Sequence, residues 1–163
     1  MIDIVSKRPS KGRGAVSNIS GRYERYATSP VDDGWHLDAN LGPTPFPTTV
    51  TEETPKTVIT YNQSPDIPFN RSLNAYRGCE HGCIYCFARP THAYQGMSPG
   101  LDFESTLFAK PDAAAVLEKE LRKPSYLPET LAIGTNTDPY QPVESNRRIT
   151  RDVLKVLSKF NHP

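Results

Sequence analysis

A chain of 163 residues can bury one domain's core, yet 16 prolines, 10 glycines and a hydrophobic share of 36% leave part of it outside any packed interior. A formal charge of +1 makes no case for a strongly polyanionic partner, and neither the N-terminus, which lacks an apolar stretch of signal-peptide length, nor any later run approaches a membrane span. The three cysteines all fall between positions 79 and 86, too close and too few for a disulfide framework, which points to a reducing, cytoplasmic setting.

Residues 1–56 read as an irregular arm. Its first part sets Lys7, Arg8, Lys11, Arg13, Arg22 and Arg25 against Glu24 alone. Such a basic, Gly/Ser-punctuated stretch either touches nucleic acid, displacing counterions from phosphates, or is a solvated tail that wraps the body. Its second part is acidic and proline-rich, with Asp32, Asp33, Asp38, Glu52 and Glu53 around Gly42-Pro43-Thr44-Pro45-Phe46-Pro47. Proline fixes φ and removes donors, so this part reads as extended linker, with Trp35 anchoring it on the core.

The ordered domain is expected over 57–163. Thr57-Val58-Ile59-Thr60-Tyr61 is β-branched and aromatic and predicts a short strand. A strand from Phe69 to Tyr76 then delivers the chain into Arg77-Gly78-Cys79-Glu80-His81-Gly82-Cys83-Ile84-Tyr85-Cys86-Phe87. Phe87-Ala88-Arg89 could start a helix, but Pro90 is expected to break or redirect it, and 91–100 reads as loop. Thr106 to Ala109 predicts a further extended segment.

A helix is predicted from about Asp112 to Lys123, with Ala113, Val116, Leu117 and Leu121 in one stripe and Pro124 as its stop. Thr130-Leu131-Ala132-Ile133-Gly134 has the unbroken apolar character of a strand buried on both faces of a parallel sheet. The last helix is the clearest: Thr150 suits its N-cap, Ile149 and Leu154 are placed as a hydrophobic staple, and Val153, Val156, Leu157 and Phe160 repeat at helical spacing. The order strand, cysteine loop, helix, strand, helix predicts an α/β fold with parallel pairing.

Chemistry concentrates in two loops. The cysteines follow C-x3-C-x2-C spacing, and glycines beside them let the backbone bend around one inorganic centre. A [4Fe-4S] cube takes one Cys per iron, so Cys79, Cys83 and Cys86 would leave one iron open for chemistry. A Cys3His zinc site with His81 or His92 is the alternative, although zinc modules usually present paired C-x2-C knuckles; both histidines otherwise read as loop-structural. The second loop, Gly134 to Glu144, is rich in hydrogen-bonding groups. Asn136, Asp138 and Glu144 can take an amino group or ribose hydroxyls, with Pro139 and Pro142 stiffening the loop. Both loops follow predicted strands and are expected to face one cavity.

The cysteine spacing with Tyr85 at the aromatic position resembles the radical S-adenosylmethionine (SAM) superfamily. Lys11-Gly12-Arg13-Gly14-Ala15, Tyr76-Arg77-Gly78-Cys79-Glu80-His81-Gly82-Cys83, Tyr85-Cys86-Phe87-Ala88-Arg89-Pro90-Thr91-His92 and Thr137-Asp138-Pro139-Tyr140-Gln141-Pro142-Val143-Glu144 are similar to its spore photoproduct lyase-like ("DNA repair photolyase-like") branch. The resemblance implies a partial (β/α)6 TIM-like barrel and a [4Fe-4S] cluster on Cys79, Cys83 and Cys86. It also implies SAM as cofactor, with Tyr85 positioning its adenine and Asn136, Asp138 and Glu144 holding its methionyl or ribose end. The implied activity is reductive cleavage of SAM to a 5'-deoxyadenosyl radical, with a flavodoxin- or ferredoxin-like reductant and nucleic acid as a candidate substrate. A six-unit barrel at about 30 residues per unit exceeds the stretch from Pro68 to Pro163, so the chain reads as a truncated N-terminal portion of such a core. Two other classes fit the residues: a zinc-bound structural or nucleic-acid-binding module, and an inactive fragment that keeps the cluster loop.

Overall fold

The computed structural model describes residues 12–26 and 47–163; Lys7, Arg8, Lys11, Trp35 and the acidic, proline-rich stretch as far as Phe46 lie outside the described residues. In chain order the elements are β1 (Thr49–Glu52), β2 (Ile59–Tyr61), β3 (Arg71–Leu73), β4 (Tyr76–Arg77), a 3-10 helix (Arg89–Gln95), α1 (Leu101–Ser105), β5 (Thr106–Ala109), α2 (Ala113–Leu121), β6 (Ala132–Ile133), α3 (Glu144–Arg147) and α4 (Ile149–Lys159). The strands form two sheets of three. In the first, β5 lies between β1, which is parallel to it, and β4, which is antiparallel. In the second, β3 lies between antiparallel β2 and parallel β6, with Ser72 opposite Ala132 and Leu73 opposite Ile133. The fold is mixed α/β, and no closed barrel forms among the described residues.

The expected strand over 69–76 is two strands in different sheets. The chain changes sheet at Asn74-Ala75, where the Lys110 ammonium donates to the Asn74 carbonyl at 2.9 Å and the Lys110 N–H donates to the Ala75 carbonyl at 3.1 Å. The predicted irregular arm contains a strand, since Thr49-Val50-Thr51 is β-branched and finds a partner in β5. Pro90 starts a helix instead of ending one, because its missing N–H is no loss in a first turn. Helix α1 arises in a stretch of weak helical periodicity.

Helix α2 buries Ala113, Leu117 and Leu121 and packs on α4, which buries Ile149, Val153 and Val156; Leu73, Ala75, Tyr76 and Ala109 complete this core. Fully removing one such aliphatic side chain from water contributes about 1.5–3 kcal/mol. The start of α4 differs from expectation. Arg148 precedes it in the left-handed region (φ 55°), the Thr150 hydroxyl donates to the Pro139 carbonyl at 2.9 Å, and the Glu144 carboxylate takes the first free N–H groups. Leu154 stays exposed, so it makes no staple. Strand β6 is only half-buried, since it pairs with β3 alone. No helix among the described residues is long and apolar enough to cross a membrane.

Candidate metal centre at the cysteine loop

Strand β4 ends at Arg77, and the chain enters the cysteine loop through Gly78 at φ +76°, where a Cβ would lie 2.8 Å from Leu107 Cδ2 and 2.9 Å from the Phe103 carbonyl oxygen. Only glycine tolerates both that dihedral and that crowding. The Cys79 N–H donates to the Phe103 carbonyl at 2.9 Å, and the Cys86 N–H to the Cys83 carbonyl at 3.2 Å, so the loop is a succession of tight turns. Cys79 is buried against Ala88 and Phe103, Cys86 is half-buried and Cys83 is exposed. Burial pushes the Cys79 thiol above its ordinary range, opposed by backbone N–H groups of Asp138 and His81. A bound cation would reverse that preference, because a coordinated thiol deprotonates.

The second loop closes against the first. Thr137 and Gln141, both buried, donate to the Gly78 carbonyl at 2.6 and 3.4 Å, and the Gln141 amide oxygen accepts the Glu80 N–H at 3.1 Å. Between the loops lies a cleft of about 280 Å³, with Cys79, Cys83, Cys86 and Tyr85 on one wall and Gly134 to Thr135 and Thr137 to Pro139 on the other. All three thiols therefore border the one cavity expected from the sequence. Tyr85 and Phe87 are 86% and 81% exposed and stand as an apolar lip.

The polar residues expected to hold SAM separate into different places. Asp138 borders the cleft: its Oδ1 accepts the Tyr140 N–H at 2.7 Å, while Oδ2 lies 3.5 Å from His81 Nε2 on the facing loop. Asn136 lies behind the wall, its N–H donating to Asn74 Oδ1 at 3.1 Å, and its own buried Oδ1 has no hydrogen-bond partner among the described residues. Glu144 does not reach the cleft. From the first residue of α3 its buried carboxylate reaches the start of α4, where it accepts the Thr150 and Arg151 N–H groups at 3.1 and 3.0 Å, and it also accepts the Tyr76 hydroxyl. Burial first, and then the neighbouring Glu144 carboxylate, raise the Tyr76 phenol above its ordinary range.

His81 and His92 diverge. His81 shares the cleft with the cysteines and faces Asp138, a partner too remote in sequence to be read there. His92 is buried in the 3-10 helix, its Nε2–H donating to the Thr106 carbonyl at 3.0 Å and its ring edge-on to Phe103. Gln141, which ties the loops together, carried no role in the sequence reading; its position beside two prolines in the polar loop was the available signal.

Among the described residues no three Cys, His, Asp or Glu side chains stand close enough to hold a single metal ion. The fit to an iron–sulfur centre rests on the donor set: three thiols of one tight loop, all bordering a cleft whose facing wall presents a carboxylate and hydroxyls.

No family model matches this chain. An uncharacterized protein of Mycobacterium bovis and uncharacterized proteins of two strains of Mycobacterium tuberculosis are each 47% identical to it over 97 residues. That match covers 60% of this chain and 28% of each relative, so the chain corresponds to well under half of their length. No solved structure matches.

Proposed function

We propose that this chain is the cluster-bearing, N-terminal portion of a radical SAM enzyme, with Cys79, Cys83 and Cys86 as ligands of a [4Fe-4S] cluster and SAM in the adjoining cleft. The observation that carries this reading is the convergence of all three thiols on one cleft whose other wall is the polar loop after β6. When bound, such a cluster with one iron left open to SAM supplies one-electron reduction.

The chain's own residues bind and orient. Tyr85 offers an aromatic face at the lip for an adenine, and Asp138 Oδ2 and the Thr135 hydroxyl offer partners for an amino group or ribose. Asn136, behind the wall, has its N–H held by Asn74 and keeps the path of the polar loop. Glu144 is assigned to the fold instead. The parallel β3–β6 pair, with helices between, supports reading the domain as part of a (β/α)6 core. Nucleic acid is the substrate class supported by exposed Arg22 and Arg25 beside the Tyr23–Tyr94 ring pair, whose centroids lie 5.5 Å apart. A cytoplasmic enzyme with a flavodoxin- or ferredoxin-like electron donor completes the proposal.

Low-temperature EPR of the anaerobically reconstituted, dithionite-reduced chain, with iron and sulfide counts, tests it. A [4Fe-4S] signal that changes on adding SAM is the expected result, and a chain that takes up no iron overturns it. His81 lines the same cleft as the three thiols and motivates one second reading, a Cys3His zinc site, which requires the four side chains to draw together around the ion. One tightly held zinc per chain, lost on His81→Ala, would establish that reading.

A further inference from the structure

Glu104, at 0% exposure, is among the most deeply buried charged residues described. A carboxylate is stable there only with a full set of donors. Its Oε2 accepts the Gly14 N–H at 2.9 Å, its Oε1 accepts the Ala15 N–H at 2.8 Å, and Oε1 also pairs with the Arg89 guanidinium. Its backbone carbonyl takes the Arg13 guanidinium at 2.6 Å. A segment more than eighty residues upstream thus closes over a charge in α1.

The same group reaches the cysteine loop by two routes. Arg89 carries its Nε to the Cys83 carbonyl at 3.0 Å and its Nη1 to the Pro99 and Gly100 carbonyls at 3.2 and 3.1 Å. Gly14 lies directly against Gly82: a Cβ at position 14 would fall 1.9 Å from the Gly82 carbonyl oxygen, and a Cβ at position 82 would fall 2.6 Å from Glu104 Oε2. Beyond this point Leu101 N–H donates to the Ser17 carbonyl at 3.3 Å, Asn18 and Asp102 exchange two hydrogen bonds, and Ser98 Oγ donates to the Ile19 carbonyl at 2.6 Å. These contacts hold the segment along α1.

We propose that Arg13-Gly14-Ala15, Glu104 and Arg89 form a brace that sets the path of the cysteine loop at Gly82-Cys83, making them positioning residues for the three thiols. Gly14 is glycine because the two backbones touch, and Glu104 is charged because it must satisfy the arm and Arg89 at once. Arg89 is arginine because one planar fork serves four acceptors, which a lysine cannot do. The proposal uses the reading of the loop as a metal centre only for its second readout.

The first readout is thiol alkylation of the metal-free chain, resolved residue by residue by mass spectrometry. In the wild type, exposed Cys83 should react fastest and buried Cys79 slowest. Gly14→Ala forces the arm off Gly82, and Cys79 should then label at least about tenfold faster, shrinking the Cys83-to-Cys79 ratio. Arg89→Lys keeps a cation beside Glu104 but drops the bond to Cys83, and should shift the ratio the same way without loss of the fold. Leu117→Ala, in the separate α2–α4 core, lowers overall stability and should leave the ratio unchanged when labelling is done under folding conditions. Wild-type ratios in both Gly14→Ala and Arg89→Lys, or an equal change in Leu117→Ala, overturn the brace. The second readout is the loaded protein, from which a chelator should remove iron at least about tenfold faster in Arg89→Lys, with an altered EPR line shape. If the wild type takes up no cluster, the function proposed above fails while the alkylation ratios still decide the brace.

Discussion

Replacing Glu144 by alanine separates a carboxylate that holds the fold from one that faces a ligand. The side chain accepts the Thr150 and Arg151 N–H groups at the start of α4 and the hydroxyl of fully buried Tyr76. Loss of a helix cap removes about 0.5–2 kcal/mol, and a buried hydroxyl left without a partner adds about 1–3 kcal/mol. Together they predict that E144A is destabilised by about 1.5–5 kcal/mol, a large share of the roughly 5–15 kcal/mol available to a small domain. With a urea slope of about 2 kcal/mol per molar, the unfolding midpoint should fall by at least about 0.7 M at unchanged slope. Tyr76→Phe removes the hydroxyl but leaves both cap bonds and should lose only about 1 kcal/mol. An E144A midpoint within about 0.3 M of wild type would refute the reasoning, since the cap and the phenol would then be satisfied elsewhere.

Two further outcomes are expected. Burial, opposed by the bond to Thr106, holds the His92 imidazole below its ordinary range, so the unfolded chain takes a proton that the folded chain refuses. Its contribution is fully present above about pH 6.5 and is lost as pH falls from there toward the lower folded value. Urea midpoints at about pH 7.5 and 5.5 should therefore diverge less in His92→Gln than in wild type, and an identical pH dependence would exclude His92 as the cause. For single-stranded nucleic acid, affinity should fall steeply with salt, and Arg22→Gln should reduce the logarithmic slope by about 0.7; a flat salt response in the intact chain rules out the basic arm as a phosphate contact.

Local signals carried far in this sequence where one face or one loop contained the whole argument. The stripe Val153, Val156, Phe160 placed α4, although the helix starts at Ile149 and not after a Thr150 cap, and Thr106 to Ala109 forms the strand its residues suggest, with Leu107 and Ala109 turned inward. The cysteine triplet and the loop from Gly134 meet at one cleft because Thr137 and Gln141 of the second loop hold the Gly78 carbonyl at the entry to the first. Roles set by distant partners were not legible. Glu144 looks like a ligand group until Tyr76, far upstream, places a phenol against it. Arg13 looks like a phosphate contact until Glu104 and Thr48 take its guanidinium. Pro90 is ambiguous in the sequence because proline stops a helix from inside and starts one from its first turn, and here it lies in the first turn of the 3-10 helix.

The change of sheet at Asn74-Ala75 has a consequence for how the molecule opens. The Asn74 side chain holds the Thr135 hydroxyl and the Asn136 N–H, while the main chain at Asn74 and Ala75 is fastened to Lys110 just after β5. One short peptide is thus the hinge pin of both cleft walls, and neither wall can swing away without disturbing the other. In the language of local unfolding, the thiol-bearing turn and the polar loop belong to one cooperative unit. A ligand seated between them would tighten an already coupled pair, and its binding energy would appear as protection spread over both sheets.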